Sequence, residues 1–218
     1  ELLKEGETLG FDGRVVSVGE GEGYAAIAGK KNAKVNYQVD LIDEIWEDRP
    51  VLSEEPAFNL DVKYAGETVA SKLARIREEM KEAGTNVHVV STIDDICWTL
   101  NIRGNDIDFF PLVLSYGIIT MDSFELYIDE RKLDGKLNAK LAIDGVNLHP
   151  YNDIYEDVKK FGSDVVAMID PGKLNYALFN NIPENVKTVK KRNPAILMKA
   201  IKNPVEIENI RKAQIKDS

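Results

Sequence analysis

Residues 87–120 read VHVVSTIDDICWTLNIRGNDIDFFPLVLSYGIIT, and an apolar run stands at each end of this stretch. VHVV at 87–90 and LVLSYGIIT at 112–120 are short and rich in β-branched residues, so each predicts a buried strand. FELYID at 124–129 predicts a third strand, close enough to the second to form a hairpin. A hairpin introduces an antiparallel pair into the sheet.

A helix and a polar turn connect the first two of these strands. Thr92 and Asp95 are three residues apart, which is the spacing of a helix cap, and we expect this helix to continue through Leu100. The acidic side chain of Asp95 would then lie in the first turn, where it favours the helix dipole. The sequence NIRGND at 101–106 predicts the loop that returns the chain to the sheet.

The strongest helical pattern lies just before this stretch. Apolar residues recur there at spacings of 4, 3, 4 and 3, which places them on one helix face: Val69, Leu73, Ile76, Met80 and Ala83. Gly84 is expected to end this helix. Strands and helices alternate from 132 to 190, and the Asn-Pro pairs at 193–194 and 203–204 each begin a helix. We therefore predict an α/β fold in which a mixed β-sheet is flanked by helices.

The first 50 residues predict a smaller α/β piece. Ser17 and Glu20 have the spacing of a capping box for a helix. The elements expected here are strands at 8–11 and 35–39, a helix at 18–30, and a short helix at 41–46 capped by Asp40. The polar stretch VLSEEP at 51–56 predicts a linker.

Residues 19–31, GEGEGYAAIAGKK, contain a match to the dinucleotide fingerprint G-x-G-x-x-A and end like a phosphate-binding loop. Glu20 and Glu22 would face a bound phosphate and repel it. Tyr24 stands where a P-loop requires glycine. We therefore interpret this stretch as a helix that binds no nucleotide.

The net charge of −9 argues against a nucleic-acid partner, because phosphates require a clustered basic surface. A small basic patch is present, and we interpret it as a solvated strand end: Lys187, Lys190, Lys191 and Arg192. No apolar run reaches the roughly 18 residues that span a membrane, and no signal peptide is visible. With a single cysteine, the sequence predicts a cytoplasmic protein without a membrane partner.

Residues of the kind that bind metals are few and scattered. His88 and His149 lie in separate strand-like runs, and we interpret both as structural or surface residues. Cys97 lies between Ile96 and Trp98, so a buried structural thiol is expected. The acidic pairs 94–95 and 106/108 have no histidine nearby. The sequence therefore predicts no catalytic residue, no metal ligand and no cofactor site in these 218 residues.

Three sequence blocks, in order, resemble one family. DDICWTLNIRGNDIDFFPLVLSYGIIT at 94–120 resembles the middle domain of three-domain Xaa-Pro aminopeptidases (aminopeptidase P), which belong to the creatinase/prolidase superfamily. LIDEIWEDRPVLSEEPAFNLDVKYAGETVASKLARIREEM at 41–80 resembles the junction that leads into this domain. LMKAIKNPVEIENIRKAQIKDS at 197–218 resembles the entry into the catalytic domain.

The resemblance implies a three-part layout. Residues 1–50 would be the end of a truncated first amino-terminal domain, and 51–195 a complete middle domain of the creatinase amino-terminal type, with a ribonuclease H-like motif. Residues 196–218 would begin a truncated "pita-bread" catalytic domain. In that family the catalytic domain holds two divalent metals, usually manganese, and the ligands would lie beyond Ser218. The chain also begins without methionine and ends in a helix-forming run, so we expect a part of a longer protein.

The implied function is that of a non-catalytic amino-terminal portion of a metallopeptidase. The parent enzyme would remove the first residue of peptides whose second residue is proline, and this portion would shape and gate the substrate cleft. Its partners would be the catalytic domain of the same chain and such peptides. A homodimer is also expected, because truncation would expose apolar surface through which two copies associate. The alternatives are a stand-alone interaction module and the amino-terminal part of a creatinase-like amidinohydrolase.

The turn after Trp98 provides the candidate site residues, which are Asn101, Arg103, Asn105 and Asp106. The resemblance implies that this region reaches over the catalytic cleft, where Arg103 can pair with a peptide carboxylate or orient a catalytic acid. In the alternative, Arg103 and Asp106 pair with each other to hold the turn, and the two asparagines satisfy local backbone groups.

The same turn is surrounded by aromatic residues, and we expect them to cluster: Trp98, Phe109, Phe110 and Tyr116. Core packing is the first interpretation, because large aromatic side chains dominate cores. A proline-binding surface is the alternative.

Overall fold

The computed structural model describes residues 2–217 of the chain. Its strands are β1 (Thr8–Gly10), β2 (Lys34–Asn36), β3 (Phe58–Asn59), β4 (Val87–Val90), β5 (Ile102–Arg103), β6 (Tyr116–Thr120), β7 (Phe124–Tyr127), β8 (Val146–His149), β9 (Val166–Ile169) and β10 (Lys187–Lys190). Its α-helices are α1 (Val18–Lys30), α2 (Val62–Ala65), α3 (Val69–Glu82), α4 (Ile93–Leu100), α5 (Gly135–Ile143), α6 (Ile154–Asp157), α7 (Tyr176–Asn180), α8 (Pro194–Ala200) and α9 (Pro204–Asp217).

Six strands form the main sheet in the order β10-β9-β4-β6-β7-β8. The hairpin predicted from the sequence is β6–β7, and β6 also pairs antiparallel with β4, with Val89 opposite Ile118. The pairs β10–β9, β4–β9 and β7–β8 are parallel. The predicted mixed sheet flanked by helices is therefore confirmed.

The sheet is covered by an apolar core on each face. One core contains the buried apolar side chains of α3 and α4 together with Ala195 of α8, and the other contains Ile154 and Tyr155 of α6 and Leu178 of α7 together with Val18 of α1. The stripe predicted for α3 is confirmed, because Val69, Leu73, Ile76 and Met80 are each at most 1% exposed. Burial of such a side chain stabilises the fold by about 1.5–3 kcal/mol.

The amino-terminal residues form a β-α-β unit of their own. Strands β1 and β2 are parallel and α1 connects them, with Ser17 and Glu20 forming the predicted capping box. The unit rests on α7, where the amide of Tyr176 donates to the carbonyl of Val16. A Cβ atom on Gly21 would lie 2.2 Å from the Tyr176 ring, so this glycine permits close helix packing.

The predicted strands at 8–11 and 124–129 end slightly early, at Gly10 and Tyr127, and four other local predictions differ further from the structure. The strand predicted from 112 begins only at Tyr116, because side chains occupy earlier amides: Leu114 donates to Asp106 Oδ2 and Val113 to Cys97 Sγ. The strand predicted for 35–39 ends at Asn36. Residues 41–45 form turns rather than a helix, since Asp40 accepts amides without a helical continuation.

The fourth difference concerns the cap of α4. Thr92 does occupy the N-cap position, but its hydroxyl donates to Asp95 Oδ2 at 2.6 Å instead of accepting a backbone amide. Asp95 also accepts from Asn193 Nδ2 at 2.9 Å and from Lys199 Nζ at 2.7 Å. The start of α4 is therefore tied to α8 by a buried polar network.

Within residues 2–217, no helix combines the length and the apolar composition needed to cross a bilayer.

Candidate functional site

The candidate site is built on the carboxyl end of α4. Asn101 ends this helix in the left-handed conformation, with φ 53° and ψ 37°, and its amide donates to the carbonyls of Cys97 and Trp98. Asparagine tolerates this conformation better than most residues with a side chain. The reversal of the chain at Asn101 directs the following residues into β5, which pairs antiparallel with β3.

The side chain of Asn101 is 1% exposed and binds distant parts of the chain. Its Nδ2 group donates to the carbonyl of Glu67 at 2.9 Å, and its Oδ1 atom accepts from Lys72 Nζ at 2.6 Å. The prediction that Asn101 satisfies local backbone groups is wrong, because α3 lies close enough to supply better partners.

Arg103 does not pair with Asp106, so the predicted ion pair within the turn is wrong. Its Nη1 group donates to the carbonyls of Cys97 and Ile102, both at 2.8 Å. The Nε and Nη2 groups have no hydrogen-bond partner among residues 2–217. Neither is fully buried, because Asp106 Oδ1 is the one buried side-chain polar atom without a partner in the described residues. Arg103 is half-buried, and this burial lowers the pKa of its guanidinium. One edge of the guanidinium is therefore anchored and the other is open.

Asp106 instead forms a buried ion pair with a residue that the sequence analysis did not select. Its Oδ2 atom lies 2.5 Å from Lys132 Nζ and accepts the amide of Leu114 at 2.7 Å. Both side chains are at most 2% exposed. Asp106 Oδ1 is buried without a partner in the described residues. The arrangement fixes the far end of the turn.

Between these anchors, Gly104 and Asn105 differ in their surroundings. A Cβ atom on Gly104 would lie 2.7 Å from Val113 Cγ2, so the backbone packs closely there. Asn105 is exposed. Of the four predicted site residues, Arg103 and Asn105 reach the surface of the turn, whereas Asn101 and Asp106 hold it from inside.

The predicted aromatic cluster does not form. Trp98 is buried beside Lys72, and Tyr116 packs against Tyr151 and Tyr155 with ring centroids 5.0 and 5.9 Å away. Phe109 is fully exposed and Phe110 is 62% exposed. The amide of Phe110 closes a tight turn onto the carbonyl of Ile107, and this turn holds Phe109 at φ 66° with its side chain directed outward. A role for the two phenylalanines in binding proline stays a prediction.

Exposure of Phe109 is unusual for two reasons. A bulky residue rarely adopts a positive φ. Phenylalanine is also usually buried, and a fully exposed ring contributes no hydrophobic stabilisation. The combination marks a conformation that the packing of the isolated chain does not explain.

The histidine and cysteine side chains are used structurally. His88 is 1% exposed between the carbonyl of Met168 and Asn193 Oδ1, and burial lowers its pKa. His149 Nε2 lies 2.6 Å from Glu125 Oε2. Burial raises the pKa of the Cys97 thiol to about 11, which disfavours the nucleophilic thiolate. The structural interpretation of Cys97 is confirmed.

A dinuclear metal centre does not fit the side chains described here. Residues 2–217 contain no group of three or more His, Cys, Asp or Glu side chains placed to hold a metal ion. His88 and His149 are each engaged with other protein groups.

Lys72 and Lys132 are the important residues that the sequence analysis missed. For Lys72 a signal was present: it follows Val69 by three residues and precedes Ile76 by four, so it lies on the apolar face of α3. Lys132 gave no such signal, since it lies in a short 3₁₀ turn.

Comparison with known proteins identifies the family. The model of the Creatinase/Prolidase N-terminal domain matches residues 48–206. The chain belongs to this family. Similar proteins include Aminopeptidase P1 of Arabidopsis thaliana, 30% identical over 99% of this chain, and Xaa-Pro aminopeptidase 1 of Dictyostelium discoideum, 34% identical over 99% of it.

Among solved structures, this creatinase/prolidase N-terminal domain superimposes on an X-prolyl aminopeptidase from Caenorhabditis elegans, described as a cytosolic enzyme with a di-nuclear active site. The TM-score is 0.91 with 30% identity, and the match covers 97% of this chain and 35% of that one. The chain spans 37% and 36% of the two curated relatives above, or about a third of their length.

Proposed function

We propose that this chain is the non-catalytic amino-terminal part of a metal-dependent Xaa-Pro aminopeptidase, which removes the residue before proline at the start of a peptide. The observation that carries the proposal is the match along nearly the whole chain to Xaa-Pro aminopeptidases about three times as long. Residues 1–50 then complete a first domain, 51–195 form the middle domain, and 196–218 lead into the catalytic domain. The two divalent metals, manganese in the proposal, bind to that last domain.

In the proposed enzyme, the turn 101–106 contributes to the substrate cleft through Arg103. Two backbone carbonyls hold one nitrogen of its guanidinium, while Nε and Nη2 have no partner in the described part of the chain. Two parallel N–H groups on a planar, permanently charged edge match a carboxylate. The proposed partner is a peptide carboxylate or an acidic side chain of the catalytic domain.

The adjacent turn 107–110 provides the proposed gating surface. Phe109 and Phe110 project from it into solvent in this chain. In the complete enzyme they would narrow the cleft, so that only free peptide amino termini enter. Proline is a suitable contact, because aromatic rings commonly recognise proline-rich segments. A cytosolic location is proposed from the description of the C. elegans enzyme.

The test uses the full-length protein with Arg103→Ala and Arg103→Lys. We expect Arg103→Ala to lower kcat/KM for Xaa-Pro peptides by about tenfold or more, as loss of a hydrogen bond to a charged group implies. Arg103→Lys should retain little more kcat/KM than Arg103→Ala, because lysine cannot present two parallel donors. Steady-state kinetics on peptides of increasing length measure the effect, and thermal unfolding is the control. Unchanged kinetics together with lowered stability would remove the cleft role.

A further inference from the structure

Lys72 is a buried cation without an acidic partner in the described residues. It is 1% exposed, and its Nζ atom lies 2.7 Å from the carbonyl oxygen of Trp98 and 2.6 Å from Asn101 Oδ1. The ammonium also lies 4.4 Å from the centroid of the Trp98 ring. No carboxylate among residues 2–217 forms an ion pair with it. Lysine is almost never buried in this way unless it is paired with an acid.

The contacts of Lys72 converge on the point where α4 ends. A positive charge at the carboxyl end of a helix interacts favourably with the helix dipole. The contact with Asn101 Oδ1 also holds the one residue that reverses the chain in the left-handed conformation. Without the ammonium, Asn101 Oδ1 loses its buried donor, and the side chain of Asn101 is held only through Nδ2. The Trp98 carbonyl keeps the backbone amide of Asn101 as its donor.

Arg103 depends on the same helix end. Its anchored nitrogen binds the carbonyl of Cys97, and Lys72 binds the next carbonyl, that of Trp98. Only Ile102 separates Asn101 from Arg103 in the chain. The carbonyls of Cys97 and Ile102, which hold the guanidinium of Arg103, lie on either side of Asn101 in the chain. A change in the backbone conformation at Asn101 would therefore move these carbonyls and reorient the guanidinium.

We propose that Lys72 is a positioning residue for Arg103: it holds Asn101 in the left-handed conformation and so sets the direction of the open guanidinium edge. The kinetic consequence of this inference rests on the proposed function of Arg103. The structural consequence does not, since it concerns only the orientation of the Arg103 side chain.

The charges around Lys72 give the proposal a second testable consequence, which is a dependence on pH. Burial lowers the pKa of Lys72 to about 8, and Arg103 and Arg75 act in the same direction, whereas Glu67 and Glu206 oppose it. The ammonium therefore loses its proton near pH 8, which weakens its hydrogen bonds to the two oxygen acceptors. The rate of any step that requires a fixed orientation of Arg103 should fall above that pH in the wild type. The guanidinium itself stays charged throughout this range.

The kinetic test uses a double-mutant cycle in the full-length protein. We expect Lys72→Met to lower kcat/KM for Xaa-Pro peptides by about as much as Arg103→Ala, and the double variant to be no worse than Arg103→Ala alone. The decline near pH 8 should vanish in both single variants. Met80→Ala is the matched control, because Met80 is buried in the same helix and is not among the residues that bind the turn. It should lower stability and leave kcat/KM within about twofold of wild type.

Effects of Lys72→Met and Arg103→Ala that simply multiply would overturn the inference. Lys72→Gln, which keeps a neutral donor, replaces Lys72→Met if the latter fails to fold. A crystal structure of the Lys72 variant gives the readout that is independent of activity: the inference expects a displaced Arg103 guanidinium and is contradicted by an unchanged one. If Arg103→Ala has no kinetic effect, the proposed role of Arg103 in the cleft fails, and the crystal structure still decides the positioning role of Lys72.

Discussion

The two buried lysines show how single residues of the same type can serve different purposes. Lys132 is paired with Asp106, so its charge is compensated within the turn. Lys72 is held by a carbonyl, an amide oxygen and an aromatic ring, and no ion pair within residues 2–217 compensates its charge. The two sites therefore respond differently to mutation and to pH.

Removal of Asp106 should be strongly destabilising. Asp106→Ala leaves the ammonium of Lys132 buried and uncompensated, which costs about 3–5 kcal/mol. Urea denaturation of the chain measures the change in the free energy of unfolding. Glu54→Ala is the control, because the Glu54–Arg131 pair is exposed and should contribute less than about 1 kcal/mol. Equal losses for the two variants would contradict the role of the buried pair.

The pKa of Lys72 makes stability depend on pH in a definite direction. Its pKa is about 8 in the folded chain and 10.5 as the ordinary value. Between these values the unfolded state binds more protons, so this group makes stability rise with pH, and the gain is lost as pH falls through 8. The full difference that this shift implies is roughly 3 kcal/mol.

The measurement compares wild type with Lys72→Met, so that the contributions of all other titrating groups to the pH dependence cancel. The free energy of unfolding at about pH 7.5 and about pH 9.5 is determined for both proteins. We expect the wild type to gain about 1–2 kcal/mol more than the variant on going to the higher pH. Parallel changes in the two proteins would show that Lys72 titrates normally.

At the scale of elements, α1 illustrates how packing overrides intrinsic helix preference. Its glycines disfavour a helix in isolation, since each costs about 1 kcal/mol relative to alanine. The helix nevertheless forms with a complete capping box, and it packs on α7 through Gly21. The glycine-rich stretch that resembles a nucleotide-binding fingerprint thus has a packing explanation at one of its positions.

Two substitutions in α1 separate these effects. Apart from the chain neighbours of Gly23 and the backbone of α1, no atom lies within 4 Å of the position that a methyl group on Gly23 would occupy, so Gly23→Ala should stabilise the chain by up to about 1 kcal/mol. Gly21→Ala should destabilise it, because the new Cβ would overlap the ring of Tyr176. Thermal unfolding of the two variants is the measurement. A gain in stability from Gly21→Ala would show that α1 does not pack on α7 as described.

At the scale of the whole molecule, apolar side chains remain exposed on the first 52 residues. Those at least 45% exposed are Leu2, Val15, Ile27, Leu41, Ile42, Ile45, Trp46, Val51 and Leu52. These residues lie within one segment of the chain, and exposed apolar surface favours association. The homodimer stays a prediction, and this surface is its proposed interface.

Light scattering over a range of concentrations tests this prediction on the 218-residue chain. We expect the apparent mass to rise with concentration, and the rise to be reduced when Ile45 and Trp46 are both replaced by serine. Replacement of Ile143, which is 85% exposed and distant in sequence, is the control and should have no effect. A constant monomer mass would exclude the proposed interface.

The sequence by itself determined the elements whose signals are local. The α3 stripe, the Ser17–Glu20 capping box, the hairpin and the mixed α/β fold were all predicted, because the residues that specify them lie within a few positions of one another. The family was also predicted, from the block at 94–120 and its two flanking blocks. These features need no knowledge of which elements come together.

Only the tertiary structure decided the partners of the candidate site. Lys72 and Asn101 are 29 residues apart, and Asp106 and Lys132 are 26 apart, so no local pattern links them. For this reason the expected Arg103–Asp106 pair was wrong, and Tyr116 was assigned to the turn instead of to Tyr151 and Tyr155. The physical reason is that a buried charge takes whichever acceptor the packing of α3, α4 and the sheet brings within hydrogen-bond distance.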